Sequence, residues 1–215
     1  MDGREQLDPV RDRGGKDKRI LIAVFTVAIF LIVLTRAYGL FFSGVKYPIP
    51  YIYGYFLIDA VAIYILWSLS PVRFKAPERI RRFCLVTGIG LAFITAALWA
   101  SWAVDPDMAR QTKVFVSGLP PWARLAYIAA LVVVTPVLEE ALYRGQVFSL
   151  LRGSFGISVG VLGSTLIFSI MHGLSPVSFA QGVFLALVYE YSGSLWGSIT
   201  VHTANNALWY IVFVN

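Results

Sequence analysis

Long apolar runs recur along the chain, and each is about as long as a helix that crosses a bilayer. A spanning helix needs roughly twenty predominantly apolar residues. Runs of this kind occur near residues 19–42, 51–69, 83–104 and 122–151. Strands of a membrane barrel would instead alternate between polar and apolar side chains over about ten residues. The runs therefore predict an all-α, polytopic membrane protein.

Three shorter apolar segments follow, near residues 157–172, 177–191 and 195–214. Hydrophobic residues make up 58% of the chain and charged residues only 14%, whereas soluble domains average about 45 to 50% and 25%. We therefore expect a single transmembrane helix bundle of about seven helices, with no separate soluble domain. The last three segments are short, so we expect them to surround an intramembrane polar cavity.

Basic residues cluster beside the ends of the apolar runs, which gives the chain a formal net charge of +6. Residues 1–18 are polar and predict a disordered tail, and a second basic group lies within residues 73–82. Because basic loops stay in the cytoplasm, we expect a multi-pass protein of a cell membrane, bacterial inner or plasma membrane, with a cytoplasmic N-terminus. The same clustering argues against nucleic acid as a partner. Cys84 is the only cysteine, which excludes an internal disulfide.

Three charged side chains lie inside the fourth apolar run, at Glu139, Glu140 and Arg144. A charge near the centre of a spanning helix costs at least about 2.5 to 3.5 kcal/mol, so such residues mark functional sites and need partners. Glu140 precedes Arg144 by four residues, the arrangement that favours an ion pair along a helix. Glu139 is rotated by about 100° from Glu140 and needs a polar neighbour from another helix. Pro136, one turn earlier, removes a backbone hydrogen bond, which either exposes polar backbone beside the glutamates or only kinks the helix.

The chain has only two histidines, His172 and His202, and both lie in apolar segments. Asn206 follows His202 by one helical turn, so both side chains can reach the same place. Asn205 lies on nearly the same side of the helix and competes with Asn206 for that role. Together with Glu139, these side chains predict a site that activates water and stabilises an oxyanion.

The order of these residues resembles a known family. The chain carries three motifs in sequence, Glu139-Glu140-x-x-x-Arg144, Phe168-x-x-x-His172 and His202-x-x-x-Asn206. They are similar to the motifs of the CAAX prenyl protease and bacteriocin-processing (CPBP or Abi) intramembrane proteases. The resemblance covers about Val133 to Trp209 and does not extend to the first three runs. We therefore expect a disordered cytoplasmic tail (1–18), N-terminal transmembrane helices (19–121) and a CPBP/Abi-like catalytic core (122–215).

The resemblance implies a role for each motif position. Glu139 corresponds to the glutamate that activates the attacking water, and His172 to the histidine that assists it. His202 and Asn206 correspond to the positions that stabilise the oxyanion. Glu140 and Arg144 correspond to the positions that support the site.

The family has been described both as glutamic peptidases and as metalloproteases, so metal dependence is an open question at the level of sequence. We expect no cofactor, because the zinc-binding pattern HExxH is absent from the chain. If zinc is present, Glu139, His172 and His202 would supply its three protein ligands and leave a fourth position for water.

These observations predict an intramembrane endopeptidase that cleaves a membrane-associated or lipidated protein or peptide near the cytoplasmic side. One alternative is a proton-coupled transporter with a relay formed by Asp59, Glu139, His172 and His202. Another is a non-catalytic scaffold or immunity protein that acts by binding. Asp59, near the middle of the second run, either belongs to a proton or substrate pathway or is a hydrogen-bonded carboxyl facing the bundle.

Overall fold

The computed structural model describes residues 9–42, 49–104 and 106–214, and all regular secondary structure in these residues is helical. Eight helices follow one another in this part of the chain. They are α1 (Pro9–Phe42), α2 (Ile49–Trp67), α3 (Ile80–Val104), α4 (Pro106–Ser117), α5 (Pro121–Phe155), α6 (Ile157–Met171), α7 (Pro176–Ser192) and α8, which comprises Leu195–Trp209 and a π-helical end, Tyr210–Val214.

The helices bear out a multi-pass membrane protein. Three segments are long and apolar enough to cross a bilayer by length and composition, and they are Asp17–Thr35, Ile80–Ala97 and Pro121–Phe155. Phe56–Trp67 and Ile157–Met171 are shorter apolar helices. Large apolar side chains such as Ile22 and Phe25 on α1 are exposed, as expected of a surface that faces lipid. The number of about seven spans stays a prediction.

Two expectations about local structure were wrong. Residues 9–18 are helical and not disordered, because they continue α1 and extending an existing helix costs little compared with starting one. Residues 1–8 lie outside the described residues. The segment between the third and fourth runs forms the helix α4 (Pro106–Ser117) where we expected a loop. Apolar residues at helical spacing on one face, such as Val116 buried against the bundle, account for this helix.

Helix α5 is the longest element of the catalytic half, and two π-helical segments interrupt it. They are Ala130–Val134 and Ala141–Phe148, and the α-helical turn Thr135–Glu140 lies between them. In a π-helical segment the backbone hydrogen bond runs between residues five apart, and such segments occur frequently at functional sites. Both glutamates of the first motif therefore end a short α-helical turn between two irregular segments.

The bundle buries two main apolar clusters on either side of α5. The larger joins α1, α2, α5 and α6 through Val27, Leu66, Val147 and Phe168. The smaller joins α3, α7 and α8 through side chains that include Leu185. Helices α5 to α8 thus stand between two packed groups, which fixes the faces that meet at the centre of the bundle.

Short connections hold the last four helices together. Gly156, with a positive φ of 87°, is the single residue between α5 and α6. A capping box between Ser175 and Ser178 starts α7, and Gly193 ends it in the left-handed conformation. These connections are too short to let neighbouring helices separate, so residues on α5, α6 and α8 keep a fixed relation.

Candidate active site

Arg144 and Glu140 form the ion pair that their spacing predicted. The guanidinium Nη1 donates to Glu140 Oε1 at 2.9 Å, and both side chains are almost completely buried. Nη2 of the same guanidinium donates to the backbone carbonyl of Gly182 on α7 at 3.1 Å. The arginine therefore neutralises a buried acid and joins α5 to α7.

Close packing surrounds this arginine. The guanidinium carbon lies 4.7 Å from the centre of the Phe168 ring, a cation–π distance. A Cβ atom at Gly182 would come within 2.9 Å of Thr165 Cγ2, so α6 and α7 approach closely where Arg144 reaches the carbonyl. The absence of a side chain at Gly182 thus permits this helix contact.

His202 stands between the two glutamates. Its Nδ1 lies 2.9 Å from Glu140 Oε1, and its Nε2 lies 3.8 Å from Glu139 Oε2. Because the Glu140 carboxylate accepts hydrogen bonds from Arg144, we assign the proton of the imidazole to Nδ1. The Nε2 atom of the neutral ring then presents a lone pair toward Glu139.

His172 follows the last residue of α6 and has the same arrangement. Its Nδ1 lies 2.8 Å from the carbonyl oxygen of Phe168, which can only accept, so Nδ1 is the donor. The imidazole also stacks on the Phe168 ring at a centroid distance of 4.1 Å. With its ring held in this way, His172 points Nε2 toward Glu139 Oε2 at 3.6 Å.

Glu139 Oε2 is therefore the point where the two histidines meet. This oxygen is buried and has no hydrogen-bond partner among the described residues. Its distances of 3.6 and 3.8 Å to the two Nε2 atoms exceed a direct hydrogen bond, and contacts of this length are commonly bridged by water. A water molecule here could donate to the carboxylate and to a histidine lone pair.

Asn206 holds α8 against α5 through the irregular part of that helix. In the first π-helical segment, the N–H of Thr135 donates to the carbonyl of Ala130, five residues earlier. Pro136 has no N–H for the next carbonyl in this series, that of Leu131. The side-chain amide of Asn206 donates to Leu131 O at 2.9 Å instead.

The two asparagines thus have different positions. Nδ2 of Asn205 donates to Oδ1 of Asn206 at 3.1 Å. Asn206 is the residue that contacts α5, and the bond to Leu131 leaves one N–H of its amide. The amide is tied to the backbone of α5 and not to Glu139.

A cavity of about 280 Å³ opens beside Glu139. Its lining includes apolar side chains and several polar groups, and those polar groups are Thr35, Asp59, Tyr127, Thr135, Glu139, Tyr143 and His172. Asp59 thus shares the cavity with the glutamate and histidine of the first two motifs. Of the two readings of Asp59, this position favours a pathway for substrate or protons.

The spacing of the three candidate metal ligands is slightly wider than that of an ideal tetrahedral zinc site. Neighbouring ligands of a tetrahedral zinc lie roughly 3.3 Å apart when each is about 2.0 Å from the ion. The corresponding distances from Glu139 Oε2 to His172 and His202 are 3.6 and 3.8 Å. Within the described ranges, no group of three or more His, Cys, Asp or Glu side chains is arranged to hold a metal ion.

Sequence reasoning missed the backbone partners of the site. The hydrogen bond to the carbonyl of Gly182 could not be predicted, because a glycine in an apolar helix indicates only close packing in general. The carbonyl of Leu131 could have been suspected from Pro136, which had to leave some carbonyl unpaired. The ring and carbonyl of Phe168 occupy the first position of the second motif, but the motif does not reveal either contact.

The fold and the site together define a multi-pass membrane protein in which a glutamate and two histidines meet inside a helix bundle, with His202 buried and His172 about one-third exposed. Residues 120–208 match the profile of a family described as Rce1-like, type II CAAX prenyl endopeptidase Rce1-like. The match covers 89 of the 215 residues, and over this helical unit the chain is similar to a family of CAAX-type peptidases, the CPBP/Abi proteins. No curated protein matches the chain. No solved structure matches it either.

Proposed function

We propose that the protein hydrolyses a peptide bond of a membrane-associated or lipidated protein or peptide with a water molecule activated by Glu139. The observation that carries this proposal is the unpartnered, buried Oε2 of Glu139 between the Nε2 atoms of His172 and His202. A general base must lie within reach of the water that it deprotonates, directly or nearly so. A water beside these atoms can reach them, because two atoms 3.6 or 3.8 Å apart can both lie within about 2.8 Å of the same water oxygen.

The proposed reaction has two steps. In the first, a proton of the water moves to Glu139 Oε2 while the water oxygen forms a bond to the peptide carbonyl carbon, and the carbonyl oxygen takes up the negative charge. In the second, the carbon–nitrogen bond breaks and Glu139 returns the proton to the leaving amine. His172 accepts the second O–H of the water at Nε2, which orients the lone pair of the water for attack.

His202 and Asn206 are assigned to the oxyanion. When His202 carries a second proton, its Nε2–H points into the gap beside Glu139, and Glu140 stabilises the resulting imidazolium through Nδ1. The N–H of Asn206 that is not bound to Leu131 is a second donor. Donors fixed in this way need no reorganisation when charge develops on the carbonyl oxygen. Glu140 and Arg144 are supporting residues.

We also propose that the reaction is metal-free, since the spacing of Glu139 from the histidines is wider than a zinc site requires. A transporter relay finds less support. The segment Ala141–Phe148, directly beyond Glu139, is completely buried, so the cavity does not continue through the bundle at this point.

The test is a cleavage assay with the purified protein in lipid vesicles and a panel of lipidated and hydrophobic peptides. Wild-type protein should cleave at least one peptide, and Glu139→Gln should lose at least about a hundredfold in kcat because a general base contributes about 10²- to 10⁴-fold. Glu190→Gln is a control of the same chemistry, since Glu190 pairs with Arg152 on the far side of the bundle.

Each assay is repeated with phenanthroline. Unchanged cleavage supports a glutamate base without zinc, and loss of cleavage that added zinc restores contradicts the metal-free mechanism. Wild-type protein that cleaves no peptide, together with proton flux into the same vesicles, would instead favour the transporter.

A further inference from the structure

Most of the basic residues lie at one end of the bundle, whereas Arg110, Lys113 and Arg124 lie on α4 and at the start of α5, toward the other end. The loop between α2 and α3 and the start of α3 hold exposed side chains, and these are Arg73, Lys75, Arg79, Arg81 and Arg82. Lys18 and Arg19 precede the apolar part of α1, and Arg152 lies near the end of α5. Basic residues close to the ends of spanning helices remain in the cytoplasm. This end of the bundle is therefore the cytoplasmic one.

Helix α5 runs toward that end. Its last turns pack on α1, and Leu151 there belongs to the same apolar cluster as Ile20 in the first half of α1. The N-terminal half of α5 therefore lies away from the basic loops. That half contributes Tyr127, Leu131 and Thr135 to the lining of the cavity.

The other walls of the cavity agree with this direction. Thr35 belongs to the second half of α1, which runs away from the basic tail. His172 lies in the turn between α6 and α7, at the opposite end of α6 from Gly156 and the end of α5. The side chain of His172 is about one-third exposed, so water reaches the cavity near this turn.

The path from Glu139 to the basic end is closed. Every residue of Ala141–Phe148 is buried. Within this layer, the side-chain amide of Gln146 donates to the carbonyls of Ile63 and Ser70, at 2.9 and 3.1 Å. These bonds tie the base of α2 and the start of the basic loop to α5. The site is thus sealed toward the cytoplasm by packed side chains.

We infer that Glu139 is reached from the non-cytoplasmic side of the membrane, and that the substrate is a peptide segment presented on that side. The inference rests on the proposed function, and it replaces the expectation of cleavage near the cytoplasmic side. That expectation followed from the motifs, which do not show on which side of the buried layer the cavity opens. A substrate of this class must first be carried across the membrane or span it.

Thiol labelling tests the inference, because the only natural cysteine can be removed by Cys84→Ala. In that background, Thr135→Cys reports on the cavity, Arg73→Cys on the basic loop and Trp122→Cys on the exposed start of α5. A membrane-impermeant thiol reagent is added to right-side-out and to inside-out vesicles. Tyr127→Cys, on the same cavity wall, is the second probe if Thr135→Cys does not fold.

Labelling of Thr135→Cys and Trp122→Cys should be at least tenfold faster in right-side-out vesicles, and labelling of Arg73→Cys at least tenfold faster in inside-out vesicles. The inference is overturned if both cavity probes are labelled from the same side as Arg73→Cys. It is also overturned if both are labelled equally from the two sides, or from neither side. Reversed labelling of the Arg73 variant overturns it as well.

Peptide cleavage is measured on the same preparations. Labelling of the cavity from outside without cleavage of any peptide refutes the proposed function and leaves the orientation standing. Cleavage by protein whose cavity is labelled only from the cytoplasmic side supports the proposed function and refutes the inferred orientation.

Discussion

Replacing Arg144 by alanine should destabilise the protein more than any other single change at the site. The guanidinium makes three kinds of contact within the core, with the Glu140 carboxylate, the Gly182 carbonyl and the Phe168 ring. Its removal leaves the Glu140 carboxylate fully buried without a counter-charge from Arg144, although His202 still hydrogen-bonds it. The empty volume left by the side chain adds to this loss.

The magnitude follows from the burial of the pair. Breaking a buried ion pair by removing one partner costs about 3 to 5 kcal/mol, because the remaining charge is uncompensated. Arg152 offers a matched comparison. It forms two 2.6 Å hydrogen bonds with Glu190, but its side chain is 49% exposed. An exposed pair contributes about 0 to 1 kcal/mol, so Arg152→Ala should be nearly neutral.

The assay is reversible unfolding in mixed micelles with increasing denaturant, followed by helix content. The decrease in the free energy of unfolding caused by Arg144→Ala should be several times the decrease caused by Arg152→Ala. Glu140→Gln in the Arg144→Ala background should recover part of the loss, since it removes the unpaired charge. Equal free energies of unfolding for the two arginine variants would refute the reasoning, because burial would then make no difference.

Three further changes separate stability from chemistry. Asn206→Leu should lower kcat at least tenfold with little change in KM, because α8 loses its bond to the free Leu131 carbonyl; unchanged kinetics would show that this bond does not position the site. Asp59→Asn should reduce cleavage of peptides with Lys or Arg near the scissile bond more than that of neutral peptides, measured as the ratio of kcat/KM; an unchanged ratio would exclude contact with the substrate. Gln146→Leu should cost about 1 to 3 kcal/mol, since it removes two part-buried hydrogen bonds of about 0.5 to 1.5 kcal/mol each; unfolding at the wild-type denaturant concentration would contradict this.

The ion pair and the meeting of Glu139 with the histidines could be predicted from the sequence. The first follows from the helical repeat, which places Glu140 and Arg144 on one face. The second follows from scarcity, because a buried glutamate needs a polar partner and the chain offers few besides His172 and His202. Both arguments depend only on local spacing and on the cost of an isolated charge in a membrane.

The contact between Asn206 and Leu131 could not be predicted, because it depends on the π-helical register before Pro136. A shift from four to five residues changes which carbonyl is free, and no residue pattern signals that shift. The direction in which we infer that the cavity opens could not be predicted for a related reason. It depends on the burial of Ala141–Phe148, a property of the packing of four helices and not of any one segment.

The pairing of Glu140 with a residue of its own helix has a consequence for how the protein enters the membrane. Helix α5 leaves the ribosome before α7 and α8 have been made, so neither the Gly182 carbonyl nor His202 exists when α5 is inserted. Arg144 lies four residues away and can neutralise Glu140 at that stage, which lowers the cost of inserting two charges. Glu139 has no such partner until later helices arrive. Completion of the site is therefore coupled to the last steps of membrane insertion.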